Sequence, residues 1–318
     1  MTTRNILHLA RAGIALNLAF NGIAAAQVQQ SLQVQMRQPV LKEDTVKVSE
    51  HVWAMIGFPN IGIIVGDRAT LVVDTGLGPR NGATVSSVAA KLSKSSKLFL
   101  TTTHFHPEHA AGEPGFPTGT ILIRNRVQQE EMDQQGVQAL DRFRQLNPQF
   151  GELLEGVTRL RSPDVVFENE AKLDLGGGIT ARLLWLGAGH TKGDLLTFVE
   201  PDRTLVSGDI VQNKVVPGIA GDGGTPSSWI AVLDKLTPLN VQHVLPDHSN
   251  PGNGSLIVSE RNFISDLQAR ALAFKRQGVS PEDAGKQLTA ELKTKYADWD
   301  WPGMGLAALV GRIYAEAR

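Results

Sequence analysis

Residues 101–112, "TTTHFHPEHAAG", put His104, His106, Glu108 and His109 within six positions of a chain that holds eight histidines in all. Imidazoles crowded together with a carboxylate are a ligand set for a divalent cation. A lone histidine is most often a surface or satisfied core residue, but three around one proline after an apolar run are better explained by a metal. Residues 97–102 read as a strand, so His104 and His106 would share strand parity and point to one side. Pro107 then ends strand pairing, and Glu108 and His109 open a helix or turn whose side chains face back.

One loop cannot complete such a site. Three further stretches set a histidine or acid beside glycine after an apolar, β-rich run: "GAGHTKGD" with His190, "LVSGDIV" with Asp209 and "VLPDHSN" with His248. Residues that do chemistry sit preferentially on loops at strand ends. The four loops are therefore expected to open on one edge of the molecule.

The elements that must position them follow from the patterning. Residues 52–56, 61–65 and 69–73 are short apolar runs separated by turn residues, and read as a meander. Residues 80–92 have helical spacing; 121–124 read as a strand, followed by a polar helix to about 146. A second series of strands is expected from about 165, with members at 170–175, 179–186, 195–199 and 204–207. Residues 227–236 read as a helix, 241–245 as a last strand, and 256–276, 281–296 and 305–317 as helices. This order suggests two sheets packed face to face with helices outside, an α+β class.

With "LVVDTG" before them, "HFHPEH", "GAGHTKGD", "SGD" and "LPDH" resemble the metallo-β-lactamase superfamily over about residues 46–250. The resemblance implies a four-layer αβ/βα sandwich, here with a C-terminal helical extension, and a metal site at one edge. It implies that His104, His106 and His190 hold a first Zn2+, that Glu108, His109 and His248 complete a second, and that Asp209 bridges the two. Asp74 matches an Asp that supports the metal loops from behind the ligands; it also suits a turn cap before Gly76. Glu108 stands where the family has Asp. Its extra methylene displaces the carboxylate by about 1.5 Å, against a tolerance of about 0.2 Å in metal–ligand distance, so the loop has to shift or the second metal is held differently. Asp209 stands where classical β-lactamases of the superfamily often carry Cys or Ser. A bridging Asp is more like the thioesterase, lactonase, sulfatase and phosphodiesterase branches.

The bulk numbers limit the alternatives. At 318 residues, 42% hydrophobic and 20% charged, the composition is globular, and a net charge of −1 with mixed signs excludes the basic stripe of a nucleic-acid binder. There is no cysteine, so thiolate nucleophiles and thiolate zinc sites are excluded. Residues 1–26 carry Arg4 and Arg11, no acid, an interrupted apolar run and Ala24-Ala25-Ala26. That is a secretory signal peptide pattern, too short and broken for a good membrane span. Its removal takes away two positive charges, so the net charge goes from −1 to −3, and implies a periplasmic or secreted protein with no membrane attachment. Gln-rich residues 27–43 read as a flexible leader, 44–252 as the metal-binding domain and 253–318 as the extension.

The expected function is a zinc-dependent hydrolase acting on a small molecule, a cyclic amide, lactone, ester or thioester, with β-lactams among the candidates. Zinc lowers the pKa of bound water to about 7, and Glu108 and Asp209 are the residues placed to orient that water and take its proton. No protein nucleophile is needed, and no G-x-S-x-G motif is present. The alternative is a non-hydrolytic metal protein of the same fold, a diiron redox protein or a metal-binding partner module. Phe58, in a turn expected to overhang the metals, and Lys214, as partner of a substrate carboxylate or else a solvated lysine, are the candidate substrate residues. Phe105, Trp185 and Trp229 also lie near the motifs, with Trp185 and Trp53 expected in the core; His51 and His243 read as structural. The extension's helices would pack on the sandwich, roof the groove or form a dimer face. Oligomeric state is not legible.

Overall fold

A computed structural model describes residues 38–218, 223–301 and 305–317 of the chain. The signal peptide expected at 1–26 lies outside them, as does most of the leader. The leader's end is docked: Leu41 is 5% exposed and Asn81 bonds both the Leu41 N–H (2.9 Å) and the Pro39 carbonyl (2.6 Å).

Among the described residues the strands form two sheets. The first has the order β1 (Val46–Lys47), β2 (Val52–Met55), β3 (Ile61–Val65), β4 (Thr70–Val73), β5 (Leu98–Thr101), β6 (Ile121–Asn125) and β7 (Val165–Phe167). The second runs β13 (Gly252–Asn253), β12 (His243–Pro246), β11 (Thr204–Gly208), β10 (Leu196–Glu200), β9 (Ile179–Leu184) and β8 (Glu170–Gly176). The strand at 165 thus belongs to the first sheet, not to the second series where the patterning puts it. It pairs in parallel with β6, Ile123 opposite Val165, a long-range pairing that local composition does not carry.

Alternation along each strand makes the layers. Ile64, Leu71 and Val73 face Leu183, Val199, Val206 and Leu245 across the sheet–sheet core. Their neighbours Ile63, Val65 and Val72 turn outward onto Val85, Val88 and Ala89 of α1 (Gly78–Leu92). On the other side Leu184, Phe198, Leu205 and Val244 meet Trp229 and Val232 of α5 (Pro226–Lys235) and the C-terminal helices. This is the αβ/βα sandwich. Truncating Ile63 or Ile64 to Ala would cost about 2–5 kcal/mol either way, but in different layers.

Between β5 and β6 lies the one-turn helix α2 (Pro107–Ala110), and α3 (Arg126–Leu146) and α4 (Pro148–Leu153) follow β6. The extension is α6 (Ser255–Arg276), α7 (Pro281–Lys295) and α8 (Ala307–Glu316). It packs on the second sheet, with Phe263 of α6 stacked on Trp299 at 4.9 Å and Tyr296 at 5.0 Å from Phe263. Among the described residues no helix is long and apolar enough to cross a membrane.

Candidate metal centre

The histidine loop is shaped by hydrogen bonds, not by strand parity. β5 ends at Thr101, and His104 and His106 lie beyond it in non-strand backbone. Asp74, at φ +70° immediately after β4, accepts from the Thr103 N–H (2.6 Å) and hydroxyl (2.9 Å). A non-glycine residue in the left-handed region marks a site where surrounding contacts impose the conformation. Pro107 then starts α2 with its fixed φ and turns Glu108 and His109 back over the loop. Gly82 of α1 completes the fit: a Cβ there would sit 1.8 Å from the Gly112 carbonyl oxygen, so only glycine lets α1 approach the end of this loop.

Four loops converge as expected. His104, His106 and His190 form one ligand group and Glu108, His109 and His248 another. His106 Nδ1 lies 3.0 Å from His104 Nε2 and 3.4 Å from His190 Nε2. In the second group His109 Nε2 lies 3.3 Å from His248 Nε2 and 3.6 Å from Glu108 Oε1. Asp209 stands between them, Oδ2 3.3 Å from His190 Nε2 and Oδ1 3.5 Å from His248 Nε2. Ligands bound about 2.0–2.1 Å from one tetrahedral ion lie at separations of this size. The donor set fits two divalent ions, and among the described residues the buried Glu108 Oε2 is left without a hydrogen-bond partner. The longer Glu108 side chain therefore still reaches the second group, because α2 carries it there.

The electrostatics separate the roles. Burial and neighbouring imidazoles hold His104 and His106 well below their ordinary values, and burial takes His248 to about 4. These rings are neutral and ready to ligate near pH 7. Burial opposes charge on His109, but Asp74 and the hydrogen bond to Asp247 raise it well above normal. Burial opposes the Asp209 charge too, yet His248 and His190 outweigh it and hold the carboxylate at about 2. Burial pushes Glu108 up to about 7. Glu108 must lose its proton to bind metal, so affinity at the Glu108–His109–His248 group should fall at least about tenfold for each pH unit below 7. Calorimetry of zinc uptake by the stripped protein, in buffers of different ionisation enthalpy, should show more protons released at pH 6 than at pH 8.

Behind the ligands lies a set of residues that the motifs alone do not single out. Asp247, next to His248 in "LPDH", sits 3.2 Å from His109 Nδ1, while Asp74 is 3.0 Å from the same atom. The Thr103 hydroxyl, 3.0 Å from Asp247 Oδ2, joins the two carboxylates. Asp74 therefore supports the metal loop. Asp194, in "GAGHTKGD", accepts from the N–H groups of Gly189 and Thr191 around His190, and Glu131 of α3 accepts from Lys192 and Gly193. Asp247 and Asp194 are each visible in sequence as an acid beside a ligand. Glu131 is far from any motif in sequence.

Gln212 links two of the ligand loops. Its amide donates to Asp209 Oδ1 (2.9 Å), its oxygen accepts from the Ser249 hydroxyl (2.7 Å) and the His248 N–H (3.3 Å), and its own N–H reaches Glu260 of α6 (3.4 Å). One side chain thus aligns two ligands from different strands. Gln212→Ala is expected to weaken metal binding about 10–100-fold, read by chelator competition. Unchanged affinity would show that the loops hold themselves.

Of the candidate substrate residues, Phe58 overhangs the site, its ring 4.9 Å from that of His248. Lys214 is not free: its ammonium pairs with Asp298 at 2.5 Å. Phe105 is buried against Ala110 and Met132. Trp229 is buried and holds the Ile210 carbonyl at 3.0 Å, and half-buried Trp185 donates to the Lys192 carbonyl at 2.9 Å, bracing the His190 loop. Trp53 is also only half-buried. His51 is structural, paired with Asp202 at 2.7 Å.

A curated relative, the Linear primary-alkylsulfatase of Pseudomonas sp. (strain ATCC 19151), is 23% identical over 255 residues, 70% of this chain and 48% of the relative. The chain thus spans about half the length of that protein. Among solved structures, a metallo-beta-lactamase from Pontibacter korlensis matches at TM-score 0.55 and 19% identity, over 71% of this chain and 99% of that one. The stereoselective inverting sec-alkylsulfatase Pisa1 from Pseudomonas sp. matches at TM-score 0.64 and 13% identity, over 86% and 50%. Both share the fold, and the superfamily's alkylsulfatases and β-lactamases are hydrolases. The model of the metallo-beta-lactamase superfamily matches residues 55–248, from the end of β2 to the last histidine of the candidate centre. Every loop that brings a ligand lies inside that match, and the chain belongs to the metallo-beta-lactamase superfamily.

Proposed function

We propose that this protein is an exported, dinuclear zinc hydrolase of small ester-like substrates. The observation that carries the reading is Asp209, whose two oxygens face the two ligand groups from between them. Bound zinc would supply Lewis acidity and a water made acidic enough to act near neutral pH. The chain's own residues do the rest. Asp209 stays ionised and fixes the separation of the groups. Glu108, with a carboxyl held up to about 7, is placed to hold or release a proton at Oε2. Gln212 and Asp74 keep the ligands aligned, and Phe58 shields the His248 side from solvent.

Sulfate esters of primary alcohols are the first substrates to test, because the curated relative is a linear primary-alkylsulfatase. Lactones, thioesters and β-lactams form the second panel, because this chain spans nearly the whole of a solved metallo-beta-lactamase but half of an alkylsulfatase. The test is metal content together with a hydrolysis screen. Two zincs per chain and chelator-sensitive turnover are expected. Iron in place of zinc, with no hydrolysis of any ester, lactone, thioester or lactam, would sink the proposal in favour of a redox or binding role. Export is tested separately by sequencing the N-terminus of the mature protein, expected at Gln27.

A further inference from the structure

Helix α6 carries an acid on its buried face. Glu260, Phe263, Ile264 and Leu267 follow one another at helical spacing. All four are buried, the last three in the core shared by the second sheet and the C-terminal helices. Apolar residues suit such positions, and a buried carboxyl without a full set of partners is unfavourable there. Among the described residues Glu260 Oε1 has no hydrogen-bond partner. Burial raises the Glu260 carboxyl well above its ordinary value; the Gln212 N–H opposes that shift and the charge of Asp209 adds to it. The neutral form is therefore favoured. Packing alone gives no reason for an acid at this point.

The other oxygen leads to the candidate metal ligands. Glu260 Oε2 accepts from the Gln212 N–H (3.4 Å), and the Gln212 side chain bonds Asp209 and the His248 main chain. The residues that follow Gln212 are held by the extension as well. Asp298 pairs with Lys214, the Asp300 N–H donates to the Lys214 carbonyl (2.7 Å), and the Asp300 carbonyl accepts from the Val216 N–H (3.0 Å). Lys214 lies in the left-handed region at φ +59°, which surrounding contacts have to impose on a non-glycine residue. From the sandwich side, the Ser249 hydroxyl accepts from the Asn213 N–H (2.7 Å). Residues 212–216 are thus gripped between the His248 loop, α6 and the segment after α7.

We propose that Glu260 is a positioning residue of the metal centre, by which the C-terminal extension fixes the Gln212 main chain and so aligns Asp209 with the His248 loop. A side-chain hydrogen bond weakens steeply when its donor turns away from the acceptor. Gln212 can therefore align two ligands only while its own backbone is held. The extension supplies that hold from outside the sandwich. This rests on the dinuclear metal reading and deepens it, and its test reads metal binding without turnover.

The metal-stripped full chain is titrated with zinc against a competing chelator, and with cobalt(II), whose absorption spectrum reads ligand geometry. Glu260→Met fills a similar volume without an acceptor. It should weaken zinc binding about tenfold, the lower end of the range for loss of an outer partner, and shift the cobalt spectrum. Glu260→Gln keeps the shape and an oxygen acceptor for the Gln212 N–H, and should restore both. Glu260→Asp, one methylene short of that N–H, should behave as Glu260→Met does and gives the reading if Glu260→Met does not fold. Thermal melting of the stripped proteins checks folding. A role in packing alone predicts that Glu260→Met, which removes an unpartnered buried oxygen, melts no lower and keeps full affinity. Full affinity with an unshifted cobalt spectrum in either folded variant would overturn the proposal. So would Glu260→Gln binding zinc as weakly as Glu260→Met. Failure of the metal reading looks different: the unaltered chain would take up no zinc, which removes the centre and the proposal together.

Discussion

Asp209→Ala is expected to lower metal affinity by more than about 100-fold, beyond the range produced by loss of an outer hydrogen-bonding partner, and to abolish turnover. Asp209 is a carboxylate that reaches ligands of both groups, with His190, His104 and His248 nitrogens 3.3, 4.0 and 3.5 Å from its oxygens. Without it five imidazoles and Glu108 remain. With Glu108 protonated below about 7, those groups supply little negative charge to offset two divalent ions. Asp209→Asn keeps the shape and removes the charge, so it separates geometry from electrostatics. Metal analysis after dialysis, with chelator competition, reads the result. Two tightly held ions and full turnover in Asp209→Ala would remove Asp209 from the centre.

The second large effect is expected from a residue that touches no ligand. Arg124 of β6 is completely buried, and burial, with Arg161 nearby, brings its guanidinium down to about 9, so it stays charged at neutral pH. It pairs with the equally buried Glu113, just after the histidine loop, and donates to the Thr102 hydroxyl (3.3 Å), just before it. Arg124 thereby clamps both ends of "THFHPEH". Arg124→Ala leaves Glu113 as an uncompensated buried charge and should cost about 3–5 kcal/mol, a fall of roughly 6–20 °C in melting temperature. It should also weaken metal binding, because the loop loses both anchors. Arg124→Met with Glu113→Leu removes charge and partner together and should recover much of the stability. If the double variant is no more stable than Arg124→Ala, the buried charge is not the source of the loss.

Both cases bear on which features are legible in the chain. The ligands are, because a metal needs imidazoles, of which this chain has only eight, set with carboxylates at strand ends. The apolar runs at 61–65 and 69–73 mark strands buried on both faces, whereas 179–186 marks one whose buried residues alternate with half-buried Thr180 and Arg182. Patterning places the strand at 165–167 in the wrong sheet, since its partner β6 lies some forty residues earlier and nothing local encodes that pairing. Strand parity fails to describe His104 and His106 for a related reason: β5 stops at Thr101, and contacts from Asp74, at another strand's end, shape the residues beyond it.

The sequence by itself determined the superfamily and the two-sheet sandwich, and it singled out the seven residues proposed as metal ligands, because each depends on residue type and local spacing. Tertiary structure alone decided that Glu108 reaches its group despite the added methylene, since α2 sets its position. It also decided that Gln212, Glu131 and Arg124 brace the site, and that Lys214 is spent on Asp298. A ligand advertises itself by its chemistry, whereas a bracing residue is an ordinary polar side chain whose role arises only when the folded chain carries it to a partner distant in sequence.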